Sequence, residues 1–419
     1  MRTSALEWVQ KFAYDLWTQM NKSFEKEHQG YPYISDLLLL SSEFHSISLI
    51  PDQTEKLGYL LCREIKEMIE KSNYYNTHFG MHTGLGKLAF CVNSYFSTTG
   101  HLKKFSSSVN SFLLEKSLDL ANALLKKSGE NTFSNDYDAI SGMSGILYYL
   151  SDFFPYQSLT PLILYLIQLT KNHFYKGNEV INFHIPKENQ FREDEKINFP
   201  NGNFNFGVAH GMMGALIALS KIYSFGCCIQ GIKDAIEILL QLYDQYEESI
   251  NGISVWPTQL SFEDYEKGKA SKQNLISRGS WCYGNLGLSR GLYKVSQYLD
   301  DDVRKKAYQQ KLIAILNQPI TDYHVYQPVL CHGIPSVITI RMVSYWNSKN
   351  NQYLENCERD YRKIIQFVTD NGTIQSTEKI VQQKFQDNFT ILEGAPGMCL
   401  SLLYVTNPDM VYSHLLMMD

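Results

Sequence analysis

Gly211-Met-Met-Gly214 runs directly into ALIAL at 215–219, a glycine turn feeding an apolar helical run. The same arrangement returns as Gly142-Met-Ser-Gly145 before ILYYL, Gly284-Asn-Leu-Gly287 before LSRGLY and Gly394-Ala-Pro-Gly397 before MCLSLLY. Two weaker copies keep the register, Thr83-Gly-Leu-Gly86 before KLAF and Gly333-Ile-Pro-Ser336 before VITI. The stretch SSEFHSISLI at 41–50 reads as a seventh copy without its glycines. With Thr83 standing in for a first glycine, successive copies lie 59, 69, 73, 49 and 61 residues apart. That spacing holds two helices and their connections. A single Gly-x-x-Gly only eases helix packing; six in one register define a repeat.

The segments between the copies supply the second helix of each unit. IKDAIEILLQLYDQYEES at 232–249 and DDVRKKAYQQKLIAILNQ at 301–318 place apolar residues at helical spacing, with charges on the opposite face. The helix after each glycine turn is apolar nearly all round, which predicts burial, and its amphipathic partner belongs outside. Six to seven such pairs close most economically into an all-α fold, an α/α toroid of inner and outer rings spanning 1–419, with the glycine turns gathered at one end. Two stretches break the pattern, 171–206 and 251–274. Both mix short β-branched or aromatic runs with Asn, Gly and Pro, and are expected to form a small β-rich insertion.

Bulk composition narrows the function. The 419 residues are 44% hydrophobic, with 28 Tyr and 22 Phe, enough for a large core. A formal net charge of −5 argues against a nucleic-acid partner. The N-terminal MRTSALEWVQKFAYDLWTQM is amphipathic rather than a signal sequence, and no apolar run reaches the roughly 20 residues of a membrane span. These features predict a soluble, cytoplasmic protein that reaches a membrane only through partners.

Eight cysteines at 62, 91, 227, 228, 282, 331, 357 and 399 are too sparse for a disulfide framework. Cys62, Cys91, Cys227, Cys228, Cys357 and Cys399 are expected to be buried small hydrophobes. Cys282 and Cys331 differ because both precede a glycine turn. If those turns share one end of the toroid, the polar residues before them face one another: Asp138, His210, Arg278, Cys282, Tyr283, Cys331, His332 and Glu393. Cys282, Cys331 and His332 form a donor set suited to Zn²⁺, with a fourth position open as in catalytic sites. Such a site holds an incoming thiol as thiolate near neutral pH. His210 is then the natural general acid or base, with Asp138 orienting it. Arg278 and Tyr283 are placed to polarise a carbonyl or stabilise an enolate.

In combination, DYDAISGMSG (136–145), AHGMMG (209–214), WCYG (281–284), CHG (331–333) and LEGAPG (392–397) resemble the lanthionine synthetase C-like family, and within it the class I cyclases of lantibiotic biosynthesis. The likeness runs from roughly residue 80 to 400. It implies an α/α toroid with a central zinc on Cys282, Cys331 and His332. It also implies intramolecular Michael addition of peptide Cys thiols to dehydroalanine or dehydrobutyrine, giving lanthionine and methyllanthionine rings. His210, Asp138, Arg278 and Tyr283 take the family's catalytic positions. The implied partners are a dehydrated precursor peptide with its leader, a dehydratase and an ABC transporter. Other zinc–thiolate chemistry, such as prenyl transfer or glutathione addition, and a peptide-binding scaffold with structural zinc are the alternatives.

Overall fold

The computed structural model describes residues 3–27, 30–127, 129, 131–275, 278–369 and 385–419. Among them, seven inner helices alternate with seven outer ones. The inner set is Ile34–Ser46, Leu85–Thr99, Met143–Leu150, Met212–Ser224, Asn285–Tyr298, Ile334–Ser348 and Ala395–Tyr404. The outer set is Thr3–Glu27, Pro51–Lys71, Lys103–Leu125, Thr160–Leu169, Ile232–Gln245, Asp302–Asn317 and Cys357–Val368. Every residue of Met143–Leu150 and of Ala395–Tyr404 is buried, whereas Pro51–Lys71 buries a single stripe that includes Leu57, Leu61 and Ile65. Most helices take the ring their pattern dictates, but Thr160–Leu169 is apolar nearly all round and lies outside, and the inner Asn285–Tyr298 buries Arg290 and Lys294. The last inner helix packs against the first, and Thr3–Glu27 packs against both, so the toroid is closed.

Six inner helices begin at an extended glycine: Gly84, Gly142, Gly211, Gly284, Gly333 and Gly394. The second glycine of a turn lies against the loop just before it; a Cβ on Gly145, Gly287 or Gly397 would press into the carbonyl of Ala139, Trp281 or Ile391. Ser336 occupies this position in its own copy by folding its hydroxyl back onto the Gly333 carbonyl, 2.8 Å away. Two registers differ from the sequence reading. Gly84, not Thr83, starts its helix, so that copy has its first glycine and carries Lys87 in place of the second. The seventh copy is the helix Ile34–Ser46, beginning seven residues before the stretch read for it, after Tyr33.

The loops before the inner helices are tied to one another around the ring. His82 N–H donates to Ile140 O (3.2 Å), Ala139 N–H to Ala209 O (3.0 Å), and Val208 N–H to Cys282 O (2.9 Å). The series continues with Cys282 N–H to Cys331 O (3.3 Å) and Cys331 N–H to Leu392 O (2.9 Å). The first copy has no glycine turn, and a side chain completes the belt instead. Asp36 accepts the Ile391 N–H at 2.8 Å and the Lys87 ammonium at 2.6 Å. Below the belt, the segment Tyr412–Asp419 enters the ring, where Leu415, Leu416, Met417 and Met418 are buried. Its carbonyls receive the His82 imidazole, the Trp281 indole and the Arg290 guanidinium.

Strands occupy both stretches that broke the helical pattern. Asn172–Tyr175 pairs with Asn178–Ile181, and Glu248–Ile250 with Ile253–Val255, each as an antiparallel hairpin. Asn203–Asn205 pairs with Gln259–Ser261, which joins the two stretches into one lobe. The second stretch starts at Glu248 rather than 251, because the helix before it stops at Gln245 instead of running to 249.

Two measurements check this packing. Gly287→Ala is expected to lower stability by about 1–3 kcal/mol in urea unfolding, since the clash is with backbone that has no rotamer to change. Glu43 accepts the Val411 N–H, and burial pushes its carboxyl up to about 8 from 4.5, against the pull of the Tyr412 and Val411 N–H groups. The folded state therefore keeps a proton that the unfolded chain releases. The resulting stability is full below about pH 4.5 and falls as the pH rises towards about 8. Glu43→Gln should remove that slope, of order 1 kcal/mol per pH unit, when urea midpoints are compared across this range.

Candidate metal and proton-transfer site

The hydrogen-bonded belt carries two of the three candidate ligands. Cys282 and Cys331 are joined through their main chains, and His332 follows Cys331 in the loop. Both sulfurs and a ring nitrogen of His332 lie within 4.8 Å of one another. A tetrahedral zinc with bonds of about 2.0–2.3 Å needs its donors about 3.3–3.8 Å apart, so the set fits after contraction by about an ångström. The donor chemistry agrees: two thiols and an imidazole favour zinc over harder cations.

The surroundings prepare these groups to act as ligands. The hydrogen bond from Cys331, opposed by burial and aided by His332, brings the Cys282 thiol down to about 7. That same hydrogen bond, together with burial, pushes Cys331 up, so the pair gives up its first proton easily and holds the second. His332 stands between Glu393 (Nδ1 to Oε1, 3.4 Å) and Gln327 (Nε2 to Oε1, 2.9 Å). Glu393 raises the imidazole pKa against the effect of burial. Whichever nitrogen binds metal, the other has an oxygen to orient it, the usual support for a metal-bound histidine.

Asp138 is fully buried and has two tasks. Its Oδ1 accepts the N–H groups of Ser141 (2.7 Å) and Gly142 (2.9 Å), holding the turn, while its Oδ2 takes His210 Nδ1 at 2.6 Å. Holding the turn before the helix and orienting the histidine are one arrangement here. Burial works against the His210 imidazolium, but the Asp138 hydrogen bond and charge outweigh it and the pKa rises. With Nδ1 committed, Nε2 is the nitrogen free to exchange a proton.

His210, Arg278 and Tyr283 line one cleft of about 330 Å³. The lobe lines it through Gln190, Phe191, Arg192, Glu195, Asn203 and Asn205. Burial pushes the Tyr283 phenol pKa up, so it remains a neutral donor, and its ring centroid is 6.0 Å from that of His210. A larger cavity of about 640 Å³ between Pro51–Lys71 and Lys103–Leu125 contains none of these residues.

All eight polar residues singled out before the glycine turns lie around this end of the ring. Gln327, Glu195 and Asn205 were not singled out: Gln327 and Asn205 stand six residues before their turn glycine, the phase of Arg278, which is the signal that could have found them, while Glu195 comes from the lobe. Cys62, Cys91, Cys227 and Cys399 are buried as expected. Cys228 is exposed in the loop after Met212–Ser224, beside the Tyr156 hydroxyl, and Cys357 is only half-buried at a helix start.

Fold and site together define a toroidal α/α protein with a Cys–Cys–His set that could hold a metal ion beside a histidine–carboxylate pair. The chain belongs to the lanthionine synthetase C-like family, whose model matches residues 50–416. It is 29% identical over 261 residues to nisin biosynthesis protein NisC of Lactococcus lactis subsp. lactis, an alignment spanning 58% of this chain and 58% of that relative's length. A solved structure of nisin cyclase superposes with a TM-score of 0.79 over 97% of both chains at 20% identity, which establishes the shared fold. No helix among the described residues is long and apolar enough to cross a membrane.

The two tasks of Asp138 are separable. Asp138→Asn keeps an oxygen for the Ser141 and Gly142 N–H groups and loses the charge; Asp138→Ala loses both. The Ala variant should be about 1–2 kcal/mol less stable than the Asn variant in urea. In both, the His210 pKa followed by NMR should fall, because the ionised Asp138 partner, the main influence opposing burial, is gone.

Proposed function

We propose that this protein is a zinc-dependent lanthipeptide cyclase. It adds cysteine thiols of a dehydrated precursor peptide to dehydroalanine or dehydrobutyrine in the same peptide, closing lanthionine and methyllanthionine rings. The observation that carries the reading is the convergence of Cys282, Cys331 and His332 beside the Asp138–His210 pair. Membership of the family and likeness to a nisin biosynthesis protein support it.

Cys282, Cys331 and His332 would hold the zinc, whose positive charge favours thiolate over thiol at neutral pH. The remaining chemistry falls to the chain. A carbon–sulfur bond forms at the β-carbon as the Cα=Cβ electron pair shifts toward the adjoining carbonyl. Arg278 and Tyr283, on the cleft wall, donate hydrogen bonds to the oxygen where that charge collects. The imidazolium of His210 delivers a proton from Nε2 to the α-carbon, while Asp138 stabilises the charged ring. The thiol proton lost equals the proton gained at carbon, so the peptide closes with no change in mass. In this reading the protein works in the cytoplasm, meets a membrane only through a dehydratase and an ABC transporter, and takes its substrate with the leader attached.

The test incubates the protein with a dehydrated, cysteine-bearing precursor peptide and counts free thiols by alkylation and mass. Loss of thiols at constant mass is expected. Retained thiols would overturn the reading, and a mass gain in the presence of glutathione would replace it with intermolecular addition. Cys282→Ala and His332→Ala should lose both zinc and ring closure. His210→Ala should keep its zinc and slow closure by about 100-fold or more.

A further inference from the structure

Trp281 stands one residue before Cys282 and is fully buried. Its indole N–H donates to the Leu416 carbonyl at 2.9 Å, while His82 Nε2 donates to the preceding carbonyl, that of Leu415, at 3.0 Å. A carbonyl only accepts, so the His82 proton is on Nε2, and burial holds the imidazole neutral by pushing its pKa down to about 3. These two side chains come from opposite sides of the toroid. His82 precedes the second inner helix, Leu85–Thr99, and Trp281 the fifth, Asn285–Tyr298; three steps is as far apart as two members of a ring of seven can stand. Their ring centroids are nevertheless 6.0 Å apart, so both reach in towards the axis and meet over consecutive carbonyls.

The segment that carries those carbonyls is itself fixed by other members of the ring. The Tyr412 hydroxyl bonds that of Thr339 at 2.8 Å, Met418 O accepts two N–H groups of Arg290, and Asp419 accepts the Tyr148 hydroxyl at 2.7 Å. Tyr412–Asp419 is therefore a strut, tied to Met143–Leu150, Asn285–Tyr298 and Ile334–Ser348 and meeting the loops at His82 and Trp281. The belt holds Cys282 through bonds to Cys331 and Val208 that run around the ring. Such bonds resist displacement along the ring, and the indole bond adds a tie from the axis. Both bear on Cys282 as a ligand, because the three donors lie within 4.8 Å and have to draw closer to take a metal ion. A ligand already held by its neighbours gives up less freedom when it does so.

We propose that the Leu416 carbonyl positions Cys282 for the metal ion by way of the Trp281 indole, which makes Tyr412–Asp419 a working part of the metal site. This rests on the zinc reading above. Trp281 is then a positioning residue: it supplies no ligand atom, and it fixes the peptide from which a ligand projects. A purely structural role, an indole that only satisfies its own N–H, leaves metal binding untouched.

The decisive variant replaces Trp281 by its benzothienyl isostere, in which sulfur stands where the N–H was, so that the shape is kept and the donor is lost. Trp281→Phe is its companion. Trp17→Phe is the control, because the buried Trp17 indole also donates at 2.9 Å, to Ser41 Oγ in the first copy of the repeat. Zinc affinity is read by chelator competition, ligand geometry by the sulfur-to-metal charge-transfer bands of the cobalt(II)-loaded protein, and stability by the thermal midpoint. The isostere should bind zinc about tenfold more weakly, the worth of one hydrogen bond, and shift the cobalt bands. Trp17→Phe should lower the midpoint and keep wild-type zinc affinity and bands. Wild-type affinity in the isostere would overturn the proposal. So would an equal loss of affinity in Trp281→Phe and Trp17→Phe, which would mark the loss as one of general stability. A wild type that binds no zinc overturns this proposal and the zinc reading together. A wild type that binds zinc and closes no ring in a dehydrated peptide refutes the cyclase reading alone, since the comparison of affinities stands.

Discussion

The belt of main-chain hydrogen bonds between the loops before the inner helices is the constraint on which the molecule depends. Each loop donates to the next, and each inner helix starts where its loop has just been fixed. A glycine is needed where the helix start lies against that loop, since a Cβ on Gly287 would meet the Trp281 carbonyl. The belt closes through Asp36, a side chain doing at the first copy what backbone does elsewhere. Its pairing with Lys87 is affordable in a buried setting because the carboxylate also receives the Ile391 N–H.

The candidate metal site is a by-product of that same belt. Cys282 and Cys331 are links in it, so the bonds that close the ring also bring their sulfurs together. In four of the six copies the residue just before the glycine is one of the candidate site residues: His210, Tyr283, His332 and Glu393. Asp138 shows how closely structure and chemistry are joined, since one carboxylate holds a turn with one oxygen and a histidine with the other. The lobe adds what the ring lacks. The lobe raises a wall at this end of the ring, and between the two lies the cleft of about 330 Å³ that His210, Arg278 and Tyr283 line.

Much of this was readable from residue order, and the errors are instructive. The glycine register identified the inner helices at Met143, Met212, Asn285, Ile334 and Ala395 because a glycine turn is a local event. It slipped by one residue at Thr83, where Gly84 and Gly86 compete for the same role and only the contact with the neighbouring loop decides. It missed the start of Ile34–Ser46, which has no turn to announce it and is held through Asp36. Cys228 was taken for a buried residue on composition, yet its loop projects outward. Gln327 and Asn205 share the phase of Arg278, six residues before a turn glycine, and could have been read from it; Glu195, in the lobe, carries no such pattern.

What the sequence determined by itself was the repeat and the chemistry placed at one phase of it: two cysteines, two histidines and their acidic partners, each a few residues from a glycine turn. Period and amphipathicity are local properties of the chain, so no neighbour has to be known to read them. Only the tertiary structure decided which of those groups meet. Cys282 and Cys331 are 49 residues apart in sequence and joined by one main-chain hydrogen bond, and Asp138 reaches His210 across 72 residues. The lobe is likewise assembled from two separate stretches by the pairing of Asn203–Asn205 with Gln259–Ser261. Convergence of this kind is set by ring closure and by long-range hydrogen bonds, which local residue order encodes only through the folded whole.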